Sequence, residues 1–350
     1  VKITHLYKGG EMDKKTIVIN FTGGPGAGKS FMATRLVSIL KENGVCCEYV
    51  PEFAKDLVWD GRLSELNDQL YILANQFHML SRLKNKVNVI ITDSPIILSM
   101  YYNEQSKCFS KDIFNSLVLA SYQNFDNIVY YVVRNHPYER EGRYQTEEES
   151  NQVSLNIKKT LDESGISYQT VVSSGAKAEE IAKFIIRLMA LYGQAKDNVE
   201  YERKFLLKDR KILKINLSSM HICQSYLDIG QTEKRIRKVD NKRFFFTEKD
   251  GLGNNRRERE KEISREEYEY FLSHFAKGKP IEKYRTVVNL DGTKSCEINT
   301  FVSPKPINLI EVEFDSERAM QTFIPPKWFG REVTSDENYY NYNIALNKDN

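Results

Sequence analysis

From residue 16 the chain alternates short, continuously apolar runs with longer stretches whose apolar residues recur every three or four positions. TIVINF leads through the glycine-rich TGGPGAGKS into FMATRLVSILKENG, where Phe31, Leu36, Ile39 and Leu40 recur at helical spacing. Strand, loop and helix are predicted in that order. The pattern repeats: CCEYV, NVIITDSP, NIVYYVV and SYQTVVS read as strands, and LNDQLYILANQFHMLSRL and AEEIAKFIIRLMALYG as helices. Helices between short buried strands predict a doubly wound α/β unit with a parallel sheet over residues 16–195. Beyond it the hydrophobic period changes from 3.6 to 2. VEYERKFLL, EKRIRKV, RFFFTEK, REREKEI, YRTVVNL, CEINTFV and INLIEVEF alternate charged with apolar residues, and only EEYEYFLSHFAKG has helical spacing there. An α+β antiparallel β-barrel is predicted over residues 198–346.

Composition supports this division. The chain has 350 residues; at about 150 residues per domain, two domains are expected. With 41% hydrophobic and 28% charged residues, wholesale disorder is excluded. Lys plus Arg (51) against Asp plus Glu (48) leaves only +3, so bulk charge gives no support to a nucleic-acid or membrane partner. An anionic ligand must be met by a local basic surface. The five cysteines show no CxxC spacing, which fits a reducing compartment. Residues 1–15 lack the apolar core of a signal peptide, and no later run approaches the roughly 18 apolar residues of a membrane span. A cytoplasmic protein is expected, with residues 1–15 a tail and Met12 an alternative start.

Gly23, Gly24, Pro25, Gly26, Ala27, Gly28, Lys29 and Ser30 match GxxxxGK[ST] directly after a strand and at the opening of a helix. Small residues let backbone N–H groups wrap nucleotide phosphates, Lys29 adds a mobile cation, and the Ser30 hydroxyl is a ligand for Mg²⁺. ATP or GTP is the expected cofactor. Asp93 ends NVIITD and should emerge at the carboxyl edge of the sheet, to support Mg²⁺ or activate an acceptor hydroxyl; an Asp before Ser-Pro is also a turn starter. Glu52 ends the strand CCEYVPE on the same edge, as a base or acceptor ligand on one reading and as a helix cap or surface carboxylate on the other. Arg134 follows a strand, and Arg140 and Arg143 flank Gly142, in a segment that suits a lid neutralising a transferring phosphoryl group.

In the second half, Glu200, Glu202 and Lys204 share one strand face. Similar faces follow at Arg235 and Arg237, at Glu248 or Lys249, at Arg256, Glu258 and Glu260, at Lys283 and Arg285, and at Glu311 and Glu313. Ile310, Val312 and Phe314 occupy the opposite positions and should pack outward against helices. A charged interior follows, where basic residues, Arg256 among them, bind polyphosphate oxygens and clustered glutamates bind a hard cation, Mg²⁺ or Mn²⁺.

GGPGAGKS, VPEFAKDLV, VIITDSP and EGRYQTEEES resemble the P-loop ATPase/kinase family that includes the ribosylnicotinamide kinase part of NadR. That resemblance covers about residues 16–192 and implies nucleotide phosphates on Gly23 to Ser30, Asp93 in a Walker B-like place, and Arg140 and Arg143 in the lid. ExExK with EKRIRK, FFFTEKDG, RREREKEI, YRTVV, LIEVEF and GREVTSDENYYNYNIA resembles the CYTH, or triphosphate tunnel metalloenzyme, family over about residues 198–346. It implies Glu200, Glu202, Glu311 and Glu313, joined by Glu332, as metal-side carboxylates, and Lys204, Arg235, Arg237, Lys249, Lys283 and Arg285 as phosphate-side cations. Asn299 stands where that family often has an acidic residue. The two resemblances in this order are similar to the TRPL translocation defect protein family and to microbial and phage proteins.

Three functions are compatible with these residues. The first is a Mg²⁺-dependent phosphotransferase or NTPase fused to a tunnel that binds and hydrolyses a triphosphate. The second is a nucleotide-regulated module binding an anionic ligand such as a phospholipid, without tunnel chemistry. The third is an RNA 5′-end-processing kinase and triphosphatase.

Overall fold

The computed structural model describes residues 16–138, 146–194, 198–208, 218–228, 232–250, 256–290 and 294–346; at 192–194, 198–200, 250, 256 and 257 it describes the backbone alone. Arg140, Arg143 and residues 1–15 lie outside the described residues, as do the side chains of Glu200 and Arg256.

The apolar runs of the first half become the strands β1 (Ile17–Thr22), β2 (Cys47–Val50), β3 (Val89–Thr92), β4 (Asp126–Val133) and β5 (Gln169–Val172). They form one parallel sheet in the order β2-β3-β1-β4-β5. β1 is buried along its whole length. Its one amide, Asn20, is satisfied by donating to the Val18 carbonyl and to Asn127 Oδ1, each at 3.0 Å. Between the strands run α1 (Lys29–Glu42), α2 (Phe53–Trp59), α3 (Gln69–Ser81), α4 (Leu98–Ser106), α5 (Lys111–Tyr122) and α6 (Glu147–Glu163), with α7 (Gly175–Gln194) after β5. The single helix predicted over LNDQLYILANQFHMLSRL is broken. Leu63–Asn67 is a tight turn of 3₁₀ type, and Asp68 restarts the chain as α3 by accepting from the Tyr71 N–H at 3.0 Å. Because β1, β2 and β3 are parallel, their carboxyl ends bring the phosphate loop, Glu52 and Asp93 to one edge of the sheet.

The charged strands of the second half are β6 (Asn198–Leu207), β8 (Glu233–Val239), β9 (Arg243–Asp250), β10 (Arg256–Ile263), β11 (Ala276–Asn289), β12 (Ser295–Ser303) and β13 (Ile307–Phe314). To these the structure adds β7 (Ser219–Leu227) and β14 (Phe329–Glu332), with helices α8 (Arg265–Phe275), α9 (Glu317–Thr322) and α10 (Asn341–Leu346). The strands form an antiparallel sheet in the order β10-β9-β8-β7-β11-β12-β13-β6-β14, and β10 also pairs with β6 through Arg256↔Glu200. One face of this sheet is apolar toward its helices. Ile310, Val312, Phe314, Phe205 and Phe329 cluster with Ala319 and Met320 of α9, while Phe244 and Phe246 meet Tyr268 and Phe271 of α8. The chain divides into two compact units, Val1–Gly193 and Gln194–Asn350. Among the described residues no helix is long and apolar enough to cross a membrane.

Candidate functional sites

The loop after β1 turns tightly because its glycines accept backbone angles that other residues resist: φ is +138° at Gly23, +69° at Gly26 and +94° at Gly28. Space is equally restrictive. A Cβ on Gly28 would overlap the Ser173 side chain, and one on Gly23 would lie 2.8 Å from the Val132 carbonyl oxygen. Helix α6 supports the loop from outside, where Ser150 donates to the Pro25 carbonyl at 2.6 Å and the Gly24 N–H donates to Ser154 Oγ at 3.3 Å. Lys29 Nζ donates to the carbonyls of Gly23 (3.1 Å) and Gly24 (3.0 Å). Gly26 to Phe31, with Asn135, His136, Ser173 and Ser174, line a cavity of about 450 Å³.

Ser30 Oγ donates to Asp93 Oδ2, while Asp93 Oδ1 is buried with no hydrogen-bond partner. A hydroxyl and a carboxylate oxygen left over beside a phosphate loop are a donor set that fits Mg²⁺. Tyr49 stands against the same pair: burial and then the Asp93 charge push its phenol pKa upward. Glu52 precedes α2 and its pKa is raised by burial, with Lys29 pulling it down and Asp93 pushing it up. The structure thus brings Lys29, Ser30, Asp93 and Glu52 into one electrostatic neighbourhood. Arg134 instead reaches α6, bonding Asn151 Oδ1 at 2.5 Å and pairing with Glu147 at 3.3 Å.

A second cavity of about 310 Å³ is lined by Gln69, Gln76, Ser94, Pro95, Tyr102 and neighbours, none of them Lys, Arg, Asp or Glu. Gln76 accepts from the Phe53 N–H at 3.0 Å and donates to the Pro51 carbonyl at 3.1 Å, which fixes the chain on both sides of Glu52. Gln69 is 3% exposed; its amide donates to the Leu66 carbonyl at 2.7 Å and its Oε1 has no partner.

In the second unit, strand register sorts the charges. Directly opposed residues of an antiparallel pair share a face, and the pairs Lys204↔Glu311↔Glu297, Glu202↔Glu313, Arg285↔Asn299, Tyr226↔Arg235↔Thr247 and Lys249↔Glu258 all belong to one face. Glu311 is its centre. Its carboxylate accepts from Lys204 Nζ at 2.9 Å and from Asn299 Nδ2 at 2.8 Å, and Arg285 lies 3.6 Å away. Burial pushes its pKa up, but Lys204, Lys283 and Arg285 together hold it well below the usual carboxylate range. Lys204 also pairs with Glu202 at 3.0 Å; burial acts against its charge, and the two glutamates reverse that, raising its pKa.

Lys283 is 1% exposed, over the Phe301 ring at 5.0 Å. Burial lowers its ammonium pKa to about 7, opposed by Glu311 and reinforced by the cations Arg285, Lys204 and Arg235. Arg235 pairs with Glu258 at 3.0 Å, Lys249 with Glu258 at 3.4 Å, and Arg237 with Glu260 at 2.8 Å. Arg237 Nε is buried without a partner, a donor that fits an anion's oxygen. Glu313 shares this face by register.

Two residues fall elsewhere. Glu332 accepts from Arg203 Nε (2.9 Å) and Nη2 (2.6 Å) and pairs in register with Phe205, and Arg203 alternates with Glu202 and Lys204, so the structure places Glu332 on the apolar face, away from the other glutamates. Of Glu248 and Lys249, register puts Lys249 on the charged face; Glu248 is 2% exposed on the other, accepting from Thr232 at 2.6 Å and 3.5 Å from Lys234. Sequence reasoning also missed partners. Glu297 accepts from Arg285 at 2.9 Å, and its period-two spacing from Asn299 was the available signal. His136, Ser173 and Gln69 carry no sequence signal, since folding alone brings them to the loop and cavity.

Residues 18–180 match a family described as an AAA domain. Over 150 residues, 42% of this chain, the sequence is 37% identical to an inorganic triphosphatase of Nitrosomonas europaea and covers 97% of it. An inorganic triphosphatase of Acetivibrio thermocellus is 27% identical over 150 residues, of which 94% is covered. Among solved structures, an inorganic triphosphatase superposes with a TM-score of 0.33 at 35% identity, over 42% of this chain and 94% of the other. NadR in complex with NR does so at 0.39 and 14%, over 50% and 52%. By its extended identity over almost the whole length of the first relative, the chain belongs to the inorganic triphosphatase (CYTH) family, joined here to a P-loop unit.

Proposed function

We propose that the chain carries two phosphoryl-handling sites: a tunnel that binds a linear triphosphate and hydrolyses it, and a P-loop site that binds ATP or GTP and passes a phosphoryl group to a small uncharged acceptor. The observation that carries the first is the single face on which Lys204, Lys283, Arg285, Arg235 and Arg237 stand among Glu202, Glu297 and Glu311. Cations there hold the non-bridging oxygens, and Arg237 Nε has a hydrogen bond to give. Glu202, Glu311 and Glu313 would hold Mg²⁺ or Mn²⁺, which supplies Lewis-acid withdrawal of charge and an activated water. Glu297, its pKa raised by burial against the pull of Arg285, is suited to take the water proton. Oxygen attacks a terminal phosphorus, the bond to its bridging oxygen breaks, and phosphate and pyrophosphate leave.

For the P-loop site, Gly23 to Ser30 hold the nucleotide phosphates and Lys29 exchanges its two carbonyl partners for phosphate oxygens. Ser30 and Asp93 would hold Mg²⁺. Glu52 interacts electrostatically both with Lys29 and with Tyr102 of the uncharged cavity, and there it accepts the proton of the attacking hydroxyl. A lining without charged side chains favours a neutral, nucleoside-like acceptor over a phospholipid or an RNA 5′ end.

One observation favours a tunnel that binds without turnover: Asn299 is fully buried and already spans Arg285 and Glu311, at the position where the tunnel-family resemblance implies an acid. Phosphate release from ATP, GTP and tripolyphosphate with Mg²⁺ or Mn²⁺ tests both readings. Lys29→Ala should lower nucleotide turnover by roughly 100-fold or more and leave tripolyphosphate hydrolysis intact, and Glu202→Ala the reverse. If wild type binds tripolyphosphate and releases no phosphate, hydrolysis in the tunnel is wrong.

A further inference from the structure

His221 and Cys223 lie two apart on β7, so their side chains leave the same side of the strand, while Ile222 and Gln224 between and beyond them turn the other way and are buried. Cys223 is the register partner of Glu282 on β11, and His221 that of Tyr284. His221 Nε2 is 2.8 Å from Glu282 Oε1 and 3.9 Å from Cys223 Sγ, and one donor atom from each of the three lies within 4.8 Å of the others. Imidazole, thiol and carboxylate thus converge from two strands held in fixed register.

The geometry points to a site for a borderline-soft divalent transition metal of the Zn²⁺ class, held by His221, Cys223 and Glu282 with solvent in the fourth position. With metal distances of ~2.0–2.3 Å, tetrahedral coordination sets ligand separations of ~3.3 Å for N···O and ~3.6 Å for N···S. The observed 2.8 and 3.9 Å differ from these by amounts that side-chain rotation supplies. The His221 ring is held against Tyr284, with ring centroids 5.0 Å apart, and its backbone N–H donates to Asp240 Oδ1 at 2.8 Å. Glu282 and His221 have 42% and 27% of their side chains exposed, so an ion can reach them. Binding releases the Cys223 thiol proton to solvent; burial first, with the Glu282 charge, pushes that thiol's pKa up, and Lys238, its register partner on β8, opposes them.

This site is chemically distinct from the carboxylate set of the charged face. Glu282 neighbours Lys283 in sequence, and the pleat sends the two side chains to opposite faces. A thiolate and an imidazole select against Mg²⁺, whereas the glutamates of the charged face select for it.

The test is a Co²⁺ titration of the full chain in a millimolar excess of Mg²⁺, in a Cys46→Ser/Cys108→Ser background that removes the two exposed thiols. The expected result is a near-ultraviolet sulfur-to-cobalt charge-transfer band with the visible bands of four-coordinate Co²⁺, saturating at one ion per chain and bleached by Zn²⁺. Cys223→Ser should lose the charge-transfer band, and His221→Ala should weaken Co²⁺ binding by roughly 100-fold. Urea unfolding of each metal-free variant establishes that it is folded. Absence of the band in the parent, or its persistence in folded Cys223→Ser, overturns the assignment.

Discussion

The two units recognise phosphate by opposite means. In the first, the phosphate loop after β1 offers backbone, held by left-handed glycines and the hydroxyls of α6, with Lys29 and Asp93 as its few charges. In the second, side chains do the work: each strand contributes a charged position to one face, and nearly every cation there already meets a carboxylate. Backbone recognition is cheap in desolvation and intolerant of shape. Side-chain recognition tolerates shape but depends on balance, because removing one charge strands its partners in a buried setting.

The largest effect should therefore come from the centre of that balance. Glu311→Ala leaves Lys204, Lys283 and Arg285 without their shared carboxylate and Asn299 without its acceptor. Unit Gln194–Asn350 is expected to lose about 3–5 kcal/mol of stability. Urea unfolding followed by hydrogen exchange resolves the two units, and the first should keep its wild-type protection. Equal loss in both units would break the comparison.

The same contrast explains what could be read in advance. The phosphate loop is a local motif, so its residues, its strand and its helix were legible as one word of sequence. The charged strands were legible because alternation of charge with β-branched or aromatic residues marks a face. β7 was not, since SMHICQSYL carries no Lys, Arg, Asp or Glu and breaks the period of two at Gln224-Ser225, although Gln224 and Tyr226 help wall the charged face. Register was also invisible. RFFFTEK leaves Glu248 and Lys249 equivalent until Phe244 and Phe246 are claimed by α8, which sends Glu248 to that same side and Lys249 to the other. The side chains that complete each site, His136 and Ser173 in one unit and Glu297 in the other, depend on pairings between distant segments.

A middle-sized effect sharpens the comparison through pH. Burial first, then neighbouring cations, lowers the Lys283 pKa from 10.5 to about 7, with Glu311 opposing. Between those values the unfolded chain binds the proton that the folded chain does not, so this group makes stability rise with pH from about 7 to about 10.5. Anion binding has the opposite sign. A bound tripolyphosphate favours the ammonium, so affinity should fall by up to about tenfold per pH unit above 7, with proton uptake on binding. Calorimetry at pH 8 in buffers of different ionisation enthalpy measures that uptake, and Lys283→Met should abolish it. Nucleotide binding at the phosphate loop should show no such uptake from this group.

The smallest effect separates the two faces of a single strand. On β6, Lys204 turns to Glu311, whereas Arg203 turns to Glu332 and lies over the rings of Phe205 and Phe323. Glu332 is 40% exposed, so its pairing with Arg203 is worth about 1 kcal/mol at most. Its carboxyl is held below the usual range chiefly by the Arg203 hydrogen bond, and any stability from that shift is present above the unfolded carboxyl pKa and lost in acid. Glu332→Gln should therefore shift the urea midpoint slightly and leave tripolyphosphate turnover within about twofold of wild type, since the amide oxygen of the new side chain would still accept from Arg203. Glu202→Gln, one pleat away on the charged face, should lower turnover by more than about tenfold. If the two variants lose turnover alike, Glu332 acts with the metal-side carboxylates after all, and register is a poorer guide to this unit's chemistry than its sequence motif.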